Sequence, residues 1–206
     1  MVGSRSTVGA PNARCSVPAV RKLIFSMGVS LDGFIAGPGG EIDWTVPDDE
    51  LHRFHNEQTR ELGAHLLGRR LYEEMLVWET AGRDPSVGDT ETEFARIWQA
   101  LPKIVFSRTL EAVEGNARLA AADLDEEVAA LKEAPGKDLA VGGAGLASSA
   151  LREGLLDELQ LFVRPVVLGG GTRFFPQLDE RIGLELVETR TFGSRVVYLR
   201  YAVAPR

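Results

Sequence analysis

Between Lys137 and Glu153 the chain reads K-D-L-A-V-G-G-A-G-L-A-S-S-A-L-R-E. Apolar Leu139–Val141 has strand length, Gly142 and Gly143 interrupt it, and Leu146, Ala147, Ala150 and Leu151 then recur at helical spacing. This spacing predicts a strand, a glycine turn and a helix. A helix start presents unpaired backbone N–H groups and the positive end of the dipole, and residues without a Cβ let an anion come close to them. Gly142, Gly143, Ala144, Gly145 and Leu146 therefore suit a nucleotide pyrophosphate. A tight turn in which glycine serves only backbone geometry is the alternative. The stretch is not an ordinary Rossmann fingerprint. Ser148 stands where a third glycine would, and no acidic strand-end residue follows about 20 positions later.

Other residues could serve the same ligand. Gly68-Arg69-Arg70 lies at a strand-to-helix turn, where phosphate contacts are made, and Ser107-Arg108 at the end of a strand suits a ribose phosphate. Solvated surface charge and a surface turn are the plainer readings. Asp48-Asp49-Glu50 opens a helix, which the dipole favours whatever the function; the sharper reading makes Asp49 or Glu50 a proton donor or substrate anchor. Asp32-Gly33 is a turn signal at the start of a loop suited to covering a ligand. His52 and His55 are spaced i, i+3 with no third ligand, so no metal is expected. A serine hydrolase lacks its Gly-x-Ser-x-Gly elbow here.

The elements that must position these groups follow from the apolar pattern. Lys22–Ser30 reads as a buried first strand, followed by the loop Leu31–Ala36 and the glycine run 37–40. Leu51, Phe54 and Leu62 place a stripe on a helix after Trp44–Pro47. Ala64–Leu67 and Lys103–Phe106 are short strands; Leu71–Leu76, Phe94–Leu101 and Leu124–Leu131 are helical; 82–90 is a polar loop. Asp157–Leu168 is a long strand signal in which Pro165 suggests a bulge or an edge. Leu184–Phe192 and Arg195–Ala204 alternate around Gly193-Ser194, a hairpin signal of the II′ type. Alternating strands and helices that close on an antiparallel pair predict an α/β fold, a mixed sheet with helices on both faces.

A chain of 206 residues with 44% hydrophobic composition suits one packed domain, here 21–206 after a flexible tail over 1–20. Net charge −7 argues against nucleic acid or an anionic membrane as the main partner, so any anion site must be local. The single Cys15 forms no internal disulfide and points to a reducing, cytoplasmic setting. No apolar run approaches the ~18 residues of a membrane helix.

Five motifs in order, Ser30–Ala36, Leu67-Gly68-Arg69-Arg70-x-Tyr72-Glu73, Val105–Arg108, Val141-Gly142-Gly143 and Pro165–Gly171, resemble the dihydrofolate reductase superfamily. They look most like the branch that holds the C-terminal reductase domain of the bifunctional riboflavin-biosynthesis deaminase-reductase. The resemblance covers roughly Arg21 to Ala204 and rests on agreement between independent levels. It implies a single three-layer domain with a mixed, mostly parallel eight-stranded sheet, and NADPH lying across the C-terminal strand ends. Gly68, Arg69, Arg70 and the turn from Gly142 to Leu146 would meet the cofactor phosphates, and Ser107 and Arg108 the adenosine ribose phosphate. Leu31, Phe34, Ile35 and Ala36 would flank the nicotinamide. Trp44 and Phe54 would border the substrate. Glu50 is favoured over Asp49 as proton donor if burial beside Trp44 raises its pKa, and Asp32 is the other candidate. A phosphoribosyl substrate would need a cationic clamp, for which Arg164 and Arg173 are candidates. Relatives of this kind are often homodimers. Many have Thr where this chain has Leu71, and a third Gly where it has Ala144. The expected activity is NADPH-dependent hydride transfer to a C=N or C=O carbon of a small heterocyclic or sugar-linked substrate, as in 5-amino-6-(5-phosphoribosylamino)uracil reduction. Dihydrofolate or pteridine reduction is the alternative, and a non-catalytic NADP(H)-binding module is the rival from another class.

Overall fold

Leu23–Ser30 (β1) is apolar along its length because it lies at the centre of a sheet, with a parallel neighbour on either side. The computed structural model describes residues 20–82 and 86–205. Residues 1–19 of the tail expected over 1–20, Cys15 included, lie outside them. After β1 come β2 (Phe34–Ala36), a 3-10 turn at Asp43–Thr45, α1 (Asp49–Arg60), β3 (Leu62–Gly68), α2 (Arg69–Met75), α3 (Trp78–Ala81) and α4 (Asp89–Ala100). Then follow β4 (Lys103–Phe106), β5 (Ala117–Leu119), α5 (Leu124–Glu133), β6 (Asp138–Gly142), α6 (Ala144–Arg152), β7 (Glu158–Arg164), β8 (Thr172–Arg173), β9 (Leu184–Thr191) and β10 (Val197–Val203).

Eight strands form one sheet in the order β5-β4-β3-β6-β1-β7-β10-β9, and β2 pairs with β8 in a separate ladder. Within the large sheet only β10 runs against the rest. The fold is therefore the expected α/β arrangement of a mixed, mostly parallel sheet closing on an antiparallel pair. One face, with Leu23, Phe25, Leu66, Leu139, Val141 and Leu159, packs on α5 and α6 through Leu124, Val128, Ala147 and Leu151. The other packs on α1 through Leu51 and Phe162, and on α2 and α4 through Tyr72 and Trp98. Because the strands are parallel, the C-terminal ends of β1, β3, β4, β6 and β7 emerge along one rim, where a ligand site is to be sought.

Several boundaries differ from the sequence expectation. Leu62 starts β3 rather than extending the helix, since α1 ends at Arg60. Pro165 neither bulges nor marks an edge: β7 is central and simply stops at Arg164, where a missing N–H costs no ladder bond. The hairpin is not of the II′ type. Arg195 N–H bonds to Phe192 O at 2.9 Å and Phe192 N–H to Val196 O at 3.0 Å, with Arg195 at φ 65°, which is a three-residue loop closed by a left-handed residue. β5 carries no sequence signal strong enough to have been expected. Among the described residues no helix is long and apolar enough to cross a membrane.

Candidate functional site

Gly68 and Gly142 close two adjacent strands, with Leu67 opposite Gly142, so two glycine corners stand side by side on the rim. Gly143 has φ +92°, which favours glycine, and a Cβ there would lie 3.6 Å from the Gly68 backbone. At Gly142 a Cβ would meet Leu71 Cδ2 at 2.5 Å and His65 Nε2 at 2.9 Å, so this corner admits no side chain without movement. Gly145 faces open space. α6 starts there with no side-chain cap and no acidic residue in its first turn, which leaves its N–H groups and dipole available to an anion.

The cations around this rim are not equivalent. Arg69 bonds Glu73 at 2.8 Å and also donates to Thr109 Oγ1, whereas Arg70 and Arg108 make no hydrogen bond or ion pair among the described residues. Ser107 Oγ accepts the N–H groups of Thr109 and Leu110 at 3.1 and 3.0 Å, which shapes the exit of β4. A cavity of about 810 Å³ opens between that exit and α6, bordered by Ser107, Arg108, Leu146 and Ser149. An open site with one free guanidinium group, Arg108, and the uncapped start of α6 beside it suits a phosphorylated nucleotide entering at the β4 exit, away from Asp123, Asp125 and Glu153 on the α5 and α6 side.

A second cavity, about 950 Å³, lies between α1 and the sheet. It exists because the sheet presents small side chains there: Ser26 and Gly28 on β1 and Ala140 on β6. Gln160 and Phe162 of β7 continue the floor, His52 and His55 of α1 form the roof, and Trp78, Phe94 and Trp98 the far wall. Thr45, Val46 and Pro47 form part of the rim. Arg164 holds that segment by donating to the carbonyls of Val46, at 3.1 Å, and Thr45, with its Nε buried and unpartnered.

Three histidines border this second space. Burial, with the Arg164 charge second, holds His55 down to about 4, and its ring lies 4.4 Å from that of Phe162. His65 is likewise pushed to about 4 by burial and then by Lys103, with Nδ1 buried and unpartnered. Burial also lowers His52, which meets Trp78 edge-on at 6.3 Å and lies 3.9 Å from Glu91. His55 and His65 are thus neutral near pH 7. Sequence reasoning weighed His52 and His55 only as metal ligands and passed over Ser26 and Gln160. The i, i+3 spacing and the small residues of β1 were the available signals.

The expected carboxylates are turned elsewhere. Glu50 accepts Gly193 N–H and an Arg190 N–H, each at 3.0 Å, and these contacts lower its pKa, the Gly193 bond most. The rise expected from burial beside Trp44 is therefore corrected to a fall, and the first turn of α1 faces the hairpin rather than the cavity. Asp49 is exposed, 3.5 Å from Arg53. Asp32 accepts Ser30 Oγ–H at 2.7 Å and the N–H groups of Gly169 and Leu168, and the Ser30 bond chiefly holds it at about 2. It fixes the loop and is a poor acid. Trp44 bonds Glu41 O through Nε1 at 3.2 Å, and it is its neighbours Asp43 and Thr45 that border the cavity.

Phe54 reaches the cavity but packs mainly among Phe162, Phe192 and Tyr198. Arg164 is occupied by backbone carbonyls and Arg173 lies 5.0 Å over the Phe34 ring, outside the cavity lining, so neither is the free clamp expected of them. In the loop, Leu31 is exposed, Phe34 is buried and pairs with Arg173 across the ladder, Ile35 packs on the main core, and Ala36 pairs with Thr172.

Comparison with known proteins gives a consistent assignment. The model of the RibD C-terminal domain family matches residues 21–198. The uncharacterized protein YyaP of Bacillus subtilis (strain 168) is 37% identical over 182 residues, which is 88% of this chain and 94% of YyaP. A protein of Shewanella sp. PV-4 named for riboflavin biosynthesis superposes with TM-score 0.71 at 22% identity, covering 89% of this chain and 99% of its own. The deaminase/5-amino-6-(5-phosphoribosylamino)uracil reductase of Thermotoga maritima gives TM-score 0.63 at 18% identity over 89% of this chain and 57% of its own. Dihydrofolate reductase of Enterococcus faecalis, complexed with NADP(H) and RAB-propyl, gives 0.57 at 18% over 89% and 97%. At these identities the three structures share a fold with this chain.

Proposed function

This chain belongs to the RibD C-terminal domain family, and from that premise we propose that it is an NADPH-dependent reductase acting on a small heterocycle held between α1 and the sheet. The observation that carries the reading is the exit of β6 between the two cavities: Leu146 borders one, and Ala140 and Val141 border the other. A dinucleotide across the glycine corners would be held by Arg108 at its phosphorylated end, with the α1 cavity open beyond the other. Gly68, Arg70 and the turn from Gly142 to Leu146 would hold the phosphates. Arg69 would back them from its contacts with Glu73 and Thr109, Ser107 and Arg108 would take the ribose phosphate, and the loop Leu31–Ala36 would lie beside the nicotinamide, with Leu31 exposed and Phe34 and Ile35 packed inward. Leu71 in place of a hydroxyl removes about one hydrogen bond, roughly 0.5–1.5 kcal/mol net, which weakens cofactor binding without abolishing it.

When bound, a reduced nicotinamide would supply the hydride for a C=N or C=O carbon. The chain contributes orientation and the exclusion of water, and neutral His55 offers a ring N–H that can polarise the acceptor. The test is calorimetric titration with NADPH, followed by loss of reduced-nicotinamide absorbance on mixing the loaded protein with candidate heterocycles. Micromolar binding and turnover of any of them support the reading. Failure to bind NADPH at millimolar concentration overturns it, and binding without turnover across a broad panel points to a nucleotide-sensing module instead.

A further inference from the structure

The α1 cavity is electrostatically unsuited to a phosphorylated acceptor. Asp43, Glu57, Glu61, Glu91, Asp138 and Glu158 border it, against only two cations, Lys22 and Arg200. Both cations are already engaged. Lys22 Nζ lies 3.2 Å from Glu158, and Arg200 lies 3.3 Å from Glu158 and 3.4 Å from Glu188. The bordering histidines add no compensating charge near neutral pH, because burial disfavours their protonation. Arg164 is held by the carbonyls of Thr45 and Val46, and Arg173 lies outside the lining. A phosphate entering here would meet six carboxylates against two cations that are both already ion-paired, although the buried Nε of Arg200 makes no hydrogen bond.

What the cavity does offer suits a flat, uncharged ring. Phe162, Trp78 and Phe94 supply aromatic surface. On the floor Ser26 and Gln160 are direct neighbours across β1 and β7. Gln160 donates its amide to Glu158 at 2.8 Å, while its carbonyl oxygen and the Ser26 hydroxyl make no hydrogen bond among the described residues. An acceptor and a donor therefore stand side by side, the arrangement that reads the edge of a nitrogen heterocycle.

We propose that this cavity takes a planar heterocycle without phosphate, uncharged or protonated, with its ring edge on Ser26 and Gln160 and its face toward the aromatic wall. That the bound heterocycle accepts hydride rests on the reductase reading; the preference for an unphosphorylated ring concerns binding alone. It is tested by calorimetry on the full chain, with and without NADPH, using two matched pairs: 5-amino-6-(5-phosphoribosylamino)uracil with its dephosphorylated form, and a hydroxymethyl-dihydropterin with its diphosphate ester. The expected result is that at least one unphosphorylated compound binds and does so tenfold or more tighter than its phosphorylated partner. The gap should narrow as salt screens the carboxylates. Ser26→Ala should weaken the preferred ligand about fivefold without changing the unfolding midpoint. Equal or tighter binding of a phosphorylated member overturns the proposal, as does failure of all four to bind. Because the preference is also read on the free protein, a failure of NADPH to bind would strike the reductase reading alone.

Discussion

The Asp32 carboxylate accepts the Gly169 N–H at 2.7 Å, joining the loop after β1 to the loop after β7 across 137 residues of chain. With Ser30 and Leu168 as further donors, the group is held at about 2 against an ordinary 3.8. A folded-state pKa below the unfolded value means stability that is present above pH 3.8 and lost as the pH falls toward 2. Asp32→Asn should lower the unfolding midpoint at pH 7 and flatten the decline below pH 4, as measured by urea unfolding across that range.

The histidines act in a separate, higher window. The unfolded chain takes up protons at His55 and His65 between 6.5 and about 4 that the folded chain refuses, so stability falls as the pH drops through that interval. A depression of this size corresponds to roughly 3 kcal/mol per histidine once the pH is below both values. His55→Gln should remove its share of the slope between pH 6.5 and 4 while leaving the Asp32 window intact.

Two glycines two residues apart, Gly143 and Gly145, should behave oppositely. Gly143→Ala forces a side chain onto φ +92° and should destabilise by about 1–3 kcal/mol. Gly145→Ala adds a methyl in open space on a helix and should hold or raise the thermal midpoint. If phosphates approach the start of α6, Gly145→Ala nevertheless weakens NADPH, which a titration of the stable variant reads directly.

Arg108 borders the cavity at the exit of β4 and is free of internal partners among the described residues, whereas Arg69 is tied to Glu73 and Thr109. Loss of charge-assisted bonds to a ribose phosphate is worth about 1.5–3 kcal/mol. Arg108→Ala should therefore raise the Kd for NADPH roughly ten- to a hundredfold and leave NADH binding unchanged.

Arg164→Met should strand the carbonyls of Thr45 and Val46 and release the cavity rim. The expected cost is about 2–4 kcal/mol in urea unfolding, together with a raised KM for any acceptor, since the rim no longer closes one side of the site.

Much of the fold was legible from local signals. The apolar runs of β1, β3, β4 and β6 are short and bounded by glycine or charge, and each ends where a corner was expected. β5 was not legible, because three residues paired to a single neighbour owe their conformation to β4 rather than to their own side chains. The hairpin type is not fixed locally for a related reason: Gly193-Ser194 signals a turn, but loop length depends on how β9 and β10 register.

The amino-acid order alone determined where strands end, where glycine corners stand and that helices follow them, since backbone freedom and helix-start chemistry depend on neighbours a few residues away. Which side chains face a ligand was decided only in three dimensions. Glu50 looks like an acid at a helix start until the hairpin brings Arg190 and Gly193 onto it, and His52 and His55 look only like an incomplete metal-ligand pair until α1 is laid over Ser26, Gly28 and Ala140. Charge and burial are properties of the surroundings, and here the surroundings arrive from up to about 140 residues away in the chain.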